Sequence, residues 1–232
     1  MRTLLLASTS TIYGGKYLEY LLDAIEHLFK DQKEVLFIPF ARPGGITFET
    51  YTEIAAQPFK KLGKKLTGIV NLENCEALVN NSEAIFVGGG NTFLLVYTLY
   101  KTNTLELIRK KVLNGTPYLG TSAGSNIAGL TMQTTNDMPI IYPPSFKTMG
   151  LIPCNINAHY LDANPENKHM GETRETRIKE FHSLNSQPVI GLREGSWLDI
   201  KGETMMLKGP LTARMFEKEK EPYEISPGEI NF

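Results

Sequence analysis

Pro117-Tyr118-Leu119-Gly120-Thr121-Ser122-Ala123-Gly124 is the stretch that decides how this chain folds. Residues 117–121 read as a short buried strand, and the small residues after them open a helix. Gly120 to Gly124 fits G-x-S-x-G in the strand–turn–helix setting that a nucleophile elbow requires. Such a turn pushes the serine hydroxyl out of the backbone, and small neighbours let the chain reverse tightly. The amide of Ala123 points to the helix N-terminus, where it can stabilise an oxyanion. The structural alternative is a glycine-rich turn that exists only to pack closely.

Working outward, the preceding sequence alternates short apolar runs with helical spacing. Residues 3–7, 35–40, 66–70 and 84–87 read as strands. Tyr17 to Phe29, residues 48–62 with a kink or break at Pro58, 92–100 and 105–113 read as helices. This alternation predicts βαβ units, hence a parallel sheet with helices on both faces. Beyond Gly129 the pattern loosens among Pro139, Pro143, Pro144 and Pro153. Possible strands there are 131–135, 140–141 and 156–160, followed by a polar-faced helix over 171–184 and a buried strand over 189–192. Residues 197–200, 204–207 and 214–216 read as a small antiparallel edge, and the charged tail from Glu217 as surface. The expected fold class is therefore α/β, a mostly parallel central sheet flanked by helices, in one domain spanning 1–232.

Composition excludes several classes of function. The 24 basic and 25 acidic residues give a net charge of −1, with no basic block, which argues against a nucleic-acid partner. No apolar run is long enough to span a membrane, and the apolar part of the N-terminus is too short for a signal sequence. Cys75 and Cys154 are too few for a disulfide framework and form no CxxC, so the expected setting is reducing and cytoplasmic, without a metal or other cofactor.

A nucleophilic serine needs a base. Of the four histidines, His27 and His182 fall within helical patterns. His159 stands at a strand end, and His169 lies in a polar loop. An orienting carboxylate is offered by Glu194, just past a core strand and before Gly195, with Asp137 and Asp162 as alternatives. The order Ser122, His159, Glu194 differs from the Ser, acid, His order of α/β-hydrolases. Gly88-Gly89-Gly90-Asn91-Thr92 follows a strand and precedes a helix, yet satisfies no phosphate-binding motif. Its amides can complete an oxyanion hole, with Asn91 capping the helix. Arg174 or Arg177, on the charged segment 171–177, can hold a substrate carboxylate.

Several motifs in order carry a resemblance through most of the chain. They are Phe37-Ile38-Pro39-Phe40, Val87 to Phe93, Ser122-Ala123-Gly124, Thr134 to Ile140, His159, Gly171-Glu172-Thr173-Arg174 and Gly191 to Gly195. On these the sequence resembles the peptidase E (α-aspartyl dipeptidase) family. The resemblance implies a class I glutamine amidotransferase-like fold with serine in place of cysteine, and a Ser-His-Glu triad on Ser122, His159 and Glu194. It implies hydrolysis of small peptides of the form Asp-X, with the amides of Ala123 and of Gly89 or Gly90 as the oxyanion hole. Arg174 matches the family's substrate arginine, and Asp137 and Asn91 join it as substrate-contacting residues, Asp137 facing the free amine. Thr121 stands where the family carries a bulky aromatic, Arg193 stands in place of proline, and the loop from His159 to Arg174 is one residue longer. These departures leave the leaving-group preference open. The alternatives are a cyanophycinase-like β-aspartyl-arginine peptidase and a non-catalytic binding protein on the same fold. Monomer and homodimer both remain open.

Overall fold

The computed structural model describes residues 1–164, 166 and 171–231, and His169 lies outside them. The N-terminal half is the expected alternation: β1 (Thr3–Ala7), α1 (Leu22–Leu28), β2 (Glu34–Ile38), α2 (Phe48–Lys61), β3 (Lys65–Gly68), α3 (Cys75–Asn81), β4 (Ile85–Val87), α4 (Thr92–Lys101), α5 (Leu105–Leu113) and β5 (Tyr118–Thr121). The five strands pair in parallel in the order β1-β5-β4-β2-β3. The apolar runs of β1, β2, β4 and β5 are buried on both faces, as parallel strands covered by helices must be, while the edge strand β3 buries only Leu66. Three details differ from expectation. The helix expected from Tyr17 begins only past Leu18, which is left-handed at φ 55°, as a 3-10 turn over Glu19–Leu21 that leads into α1. α2 runs through Pro58 without a break. α3 has no counterpart in the sequence reading.

The C-terminal half forms the expected antiparallel edge and adds a second sheet, to which the run at 214–216 belongs. It comprises α6 (Ala123–Asn126), β6 (Asn155–Ala158), α7 (Arg174–Leu184), β7 (Val189–Leu192), β8 (Trp197–Lys201), β9 (Thr204–Lys208), β10 (Ala213–Phe216), β11 (Tyr223–Ile225) and β12 (Gly228–Ile230). β8 pairs antiparallel with β1, and β9 and β12 follow, so the large sheet has eight strands. With that edge of β1 taken, β7 pairs instead with β6 in parallel and β10 in antiparallel, and β11 completes a separate four-stranded sheet. The antiparallel strands are thus divided between two sheets. The tail is strand-forming rather than plain surface, and Ile230 is buried.

Residues 131–135 and 140–141 are not strands. Their one ladder contact is the bridge Thr131–Lys147, and turn bonds such as Thr135 N–H to Met132 O satisfy the backbone locally. One continuous core joins the sheets: Leu4, Leu6 and Tyr118 of the large sheet share it with Ile156, Ile190 and Met215 of the small one. Among the described residues no helix is long and apolar enough to cross a membrane. Cys75 and Cys154 are both buried and unpaired in any disulfide.

Candidate active site

Three parallel strands end at one place. β5 lies between β1 and β4 and ends at Thr121, so Ser122 leaves the middle of the large sheet. Ser122 has φ 51° and ψ −110°, a conformation that costs an L-residue about 1–3 kcal/mol and persists only where its surroundings impose it. Those surroundings are close-packed. Ser122 N–H donates to Ala7 O at 3.0 Å, and Ser125 Oγ–H reaches both Ala7 O at 2.7 Å and Gly120 O at 2.8 Å. A Cβ on Gly124 would lie 2.2 Å from Val87 O, so only glycine lets α6 sit this close to β4. Thr121 is fully buried behind the serine, and its hydroxyl has no hydrogen-bond partner among the described residues.

The small sheet brings the other two residues. β6 and β7 are neighbours in parallel, with Ala158 opposite Leu192, so His159 and Glu194 leave adjacent strand ends. His159 Nε2 lies 2.8 Å from Ser122 Oγ, and His159 Nδ1 lies 2.6 Å from Glu194 Oε1. The expected strand over 156–160 stops at Ala158 because His159 turns into the left-handed region at φ 55°. That turn is tied down by Ser8, a fully buried residue just past β1. Ser8 Oγ accepts from His159 N–H at 2.9 Å and donates to Leu192 O at 2.7 Å. The His159 and Glu194 side chains remain 36% and 47% exposed, so the pair faces an open cleft. Burial, with the Glu194 charge adding, pushes the nearby Tyr20 phenol up, and its hydroxyl donates to Thr9 O at 2.6 Å.

The glycine turn after β4 packs against the serine: a Cβ on Gly89 would lie 3.1 Å from Ser122 Cβ. Gly90 takes φ 143°, and a Cβ there would lie 2.3 Å from Ala41 O. Gly88 N–H and Asn91 N–H donate to Ile38 O and Ala41 O. Between them, Gly89 N–H and Gly90 N–H donate to no protein group among the described residues.

Asn91 is occupied by the fold at both ends of its amide. Oδ1 accepts from Leu94 N–H at 3.0 Å, capping α4, and Nδ2 donates to Met138 O at 2.8 Å. Asp137 Oδ2 accepts from Thr92 N–H at 2.7 Å and Thr135 Oγ–H at 2.9 Å, which anchors it at the start of the same helix. The buried Asn157 and the partly buried Asn136 stitch this loop to β6.

Arg174 opens α7, whose N-cap Thr173 accepts from Thr176 N–H. Its guanidinium is half-buried, and Nη1 is fully buried without a hydrogen-bond partner among the described residues. Burial and the neighbouring Arg177 pull its pKa below the ordinary value, against the opposing pull of Glu194 and Tyr160. Arg177 itself is exposed and sits 3.7 Å from Glu172. His27 is exposed on α1, while His182 is buried beside the Gln187 carbonyl, 3.0 Å from Nε2. Asp162 is taken up by Arg193 at 2.8 Å. Arg193 also pairs with Glu224 at 2.9 Å, donates to Thr212 O, and lies 5.5 Å from the centre of the Tyr160 ring. Ser8 and the Arg193 cluster escaped the sequence reading. The only local signal for Ser8 is a polar residue at the end of an apolar strand.

The arrangement has the parts of an acyl-transfer site: a strained serine, a base in contact with it, a carboxylate behind the base, and unpaired amides beside the serine. A model of peptidase family S51 matches residues 4–208. Peptidase E of Streptomyces coelicolor is 43% identical over 225 residues, covering 97% of this chain and 91% of the relative. The Drosophila melanogaster protein named "Probable alpha-aspartyl dipeptidase" is 42% identical over 229 residues, covering 97% and 94%. Among solved structures, a peptidase from an acI-B1 Actinobacterium superposes with a TM-score of 0.76 at 20% identity, covering 100% of this chain and 97% of that one, which speaks to the fold alone. With this match over nearly its whole length, the chain belongs to peptidase family S51.

Proposed function

We propose that the chain is an α-aspartyl dipeptidase that cleaves Asp-X dipeptides by a Ser-His-Glu triad. Its full-length relatives support the activity. The observation that carries the mechanism is the hydrogen-bonded line Ser122–His159–Glu194, at 2.8 and 2.6 Å, with the half-buried Arg174 guanidinium, its buried Nη1 unpaired among the described residues, within reach of the Glu194 charge. Ser122 Oγ attacks the scissile carbonyl while His159 Nε2 takes its proton. Glu194 holds Nδ1–H and stabilises the imidazolium that forms. The developing oxyanion accepts from Ala123 N–H and from Gly89 or Gly90 N–H, donors each worth about 10²–10³ in rate in other serine hydrolases. The imidazolium then protonates the departing amine, and a water, deprotonated by His159, releases aspartate from the acyl-enzyme.

Arg174 binds the β-carboxylate of the substrate aspartate. Its planar fork matches a carboxylate, and its desolvated position strengthens the pairing. Asp137 keeps Oδ1 for the substrate amine while Oδ2 holds α4. Asn91 serves by fixing the turn through both ends of its amide.

A panel of X-Leu dipeptides, assayed with wild type, Ser122→Ala and Arg174→Ala, tests this reading. Asp-Leu should be cleaved best by wild type. Ser122→Ala should fall by at least about 10⁴-fold, and Arg174→Ala should lose the preference for aspartate. Equal cleavage of Ala-Leu and Asp-Leu by wild type would refute the specificity.

A further inference from the structure

Arg42 lies four residues past the end of β2 and has no part in the mechanism above. Its guanidinium carbon sits 4.6 Å from the centre of the Tyr51 ring, a cation–π contact that holds the flat group in place. Tyr51 Oη–H donates to Gly89 O at 3.2 Å, and Tyr17 Oη lies 3.4 Å from Tyr51 Oη. The neighbouring Ala41 O accepts from Asn91 N–H at 2.7 Å. Arg42 and Ser122 therefore flank one glycine turn, Ser122 on the β5 side and Arg42 on the β2 side. Arg42 Nε is buried and without a hydrogen-bond partner among the described residues. A donor removed from water and left unpaired is costly unless a ligand completes it.

The two faces of the large sheet fix which part of a substrate comes here. Asp137 and Asn91 go with α4, whose Leu95 and Val96 pack on one face with Met132. Tyr51 packs on the opposite face with Leu18, Leu21 and Phe59. A dipeptide whose amine meets Asp137 runs its leaving residue past Ser122 towards the Tyr51 face. In a dipeptide that residue ends in a free α-carboxylate, one bond beyond an α-carbon that is about 3.8 Å from the aspartyl α-carbon.

We propose that Arg42 binds the α-carboxylate of the leaving residue, so that the site selects dipeptides over substrates whose leaving residue carries no charge. The inference deepens the dipeptidase reading and rests on it. Preorganised on Tyr51, the guanidinium loses little freedom on binding, and it offers a carboxylate two parallel donors.

The test compares kcat/KM for Asp-Leu and for Asp-Leu-amide in wild type, Arg42→Met and Arg42→Lys. Wild type should favour the free acid by roughly 10- to 100-fold, the range of a charge-assisted hydrogen bond. Arg42→Met should bring that ratio close to one, and Arg42→Lys should keep part of it. A wild-type ratio near one, or a ratio that Arg42→Met leaves unchanged, would overturn the inference and leave the dipeptidase reading standing. Cleavage of neither compound by wild type would overturn the dipeptidase reading and this inference with it. Because the readout is a ratio within each variant, a partly misfolded preparation does not imitate either result.

Discussion

Ser122 stands on the large sheet, His159 and Glu194 on the small one, and the two sheets hold their residues by different means. Around Ser122 the constraint is steric: backbone atoms of β4, β5 and α6 approach too closely for a single extra carbon on Gly124. Around His159 and Glu194 it is polar: the buried Ser8 hydroxyl grips one strand end, and the Arg193 cluster grips the loop beside the other. A strained φ at the serine needs neighbours that cannot yield. A base that must accept and return a proton is better served by hydrogen bonds in a half-exposed setting.

The largest effect should come from the steric side. Gly124→Ala must push α6 away from Val87 O, at a cost of roughly 1–3 kcal/mol or more. For a chain of this size Tm should fall by roughly 5–10 °C, with activity on Asp-Leu falling further as the serine turn moves. Differential scanning calorimetry and steady-state kinetics check both. An unshifted Tm would break the contrast.

Ser8→Ala comes next. It leaves His159 N–H without its partner, worth about 1–3 kcal/mol in a buried site, while Leu192 O keeps only the bond from Tyr160 N–H. The expected signature is a kcat lower by roughly tenfold, the rate equivalent of about 1.4 kcal/mol, with KM nearly unchanged. A change confined to KM would show that Ser8 does not act through His159.

How much of this was legible in the sequence follows from how local each constraint is. The elbow is written in five consecutive residues, and the parallel strands announce themselves as unbroken apolar runs. His159 and Glu194 could be found because each lies just past the end of a buried strand. Ser8 and Arg42 could not, because their roles depend on the strand order β1-β5-β4-β2, which chain order does not state. The second sheet was hidden for a similar reason: β8 and β10 are both short, turn-bounded runs, and nothing in the chain order says that β8 takes the β1 edge while β10 pairs with β7. β11 and β12 are three residues each within a charged tail, too short to show a period.

The smallest expected effect tests the polar side at its rim. Arg193 first, with Thr212 and Arg214 adding, holds the Glu224 carboxyl down at about 2 against the opposing pull of partial burial. A folded-state pKa below the unfolded one means stability that is present above the ordinary carboxylate range and lost as pH falls towards about 2. Glu224→Gln should therefore be less stable than wild type near neutral pH. Because the pair is partly exposed, the difference should be under about 1 kcal/mol. Denaturant midpoints at several pH values should show the gap closing in acid. A gap that widens in acid would contradict the assignment.

The central claim, that Ser122 is the nucleophile of an aspartyl dipeptidase, is tested most directly by trapping the intermediate. Enzyme quenched in acid while turning over Asp-p-nitroanilide, then digested and mapped by mass spectrometry, should carry an aspartyl ester on Ser122. Ser122→Ala should carry none and release no p-nitroaniline above background. An aspartyl group on any other residue of the wild type, or turnover by Ser122→Ala at the wild-type rate, would contradict the account.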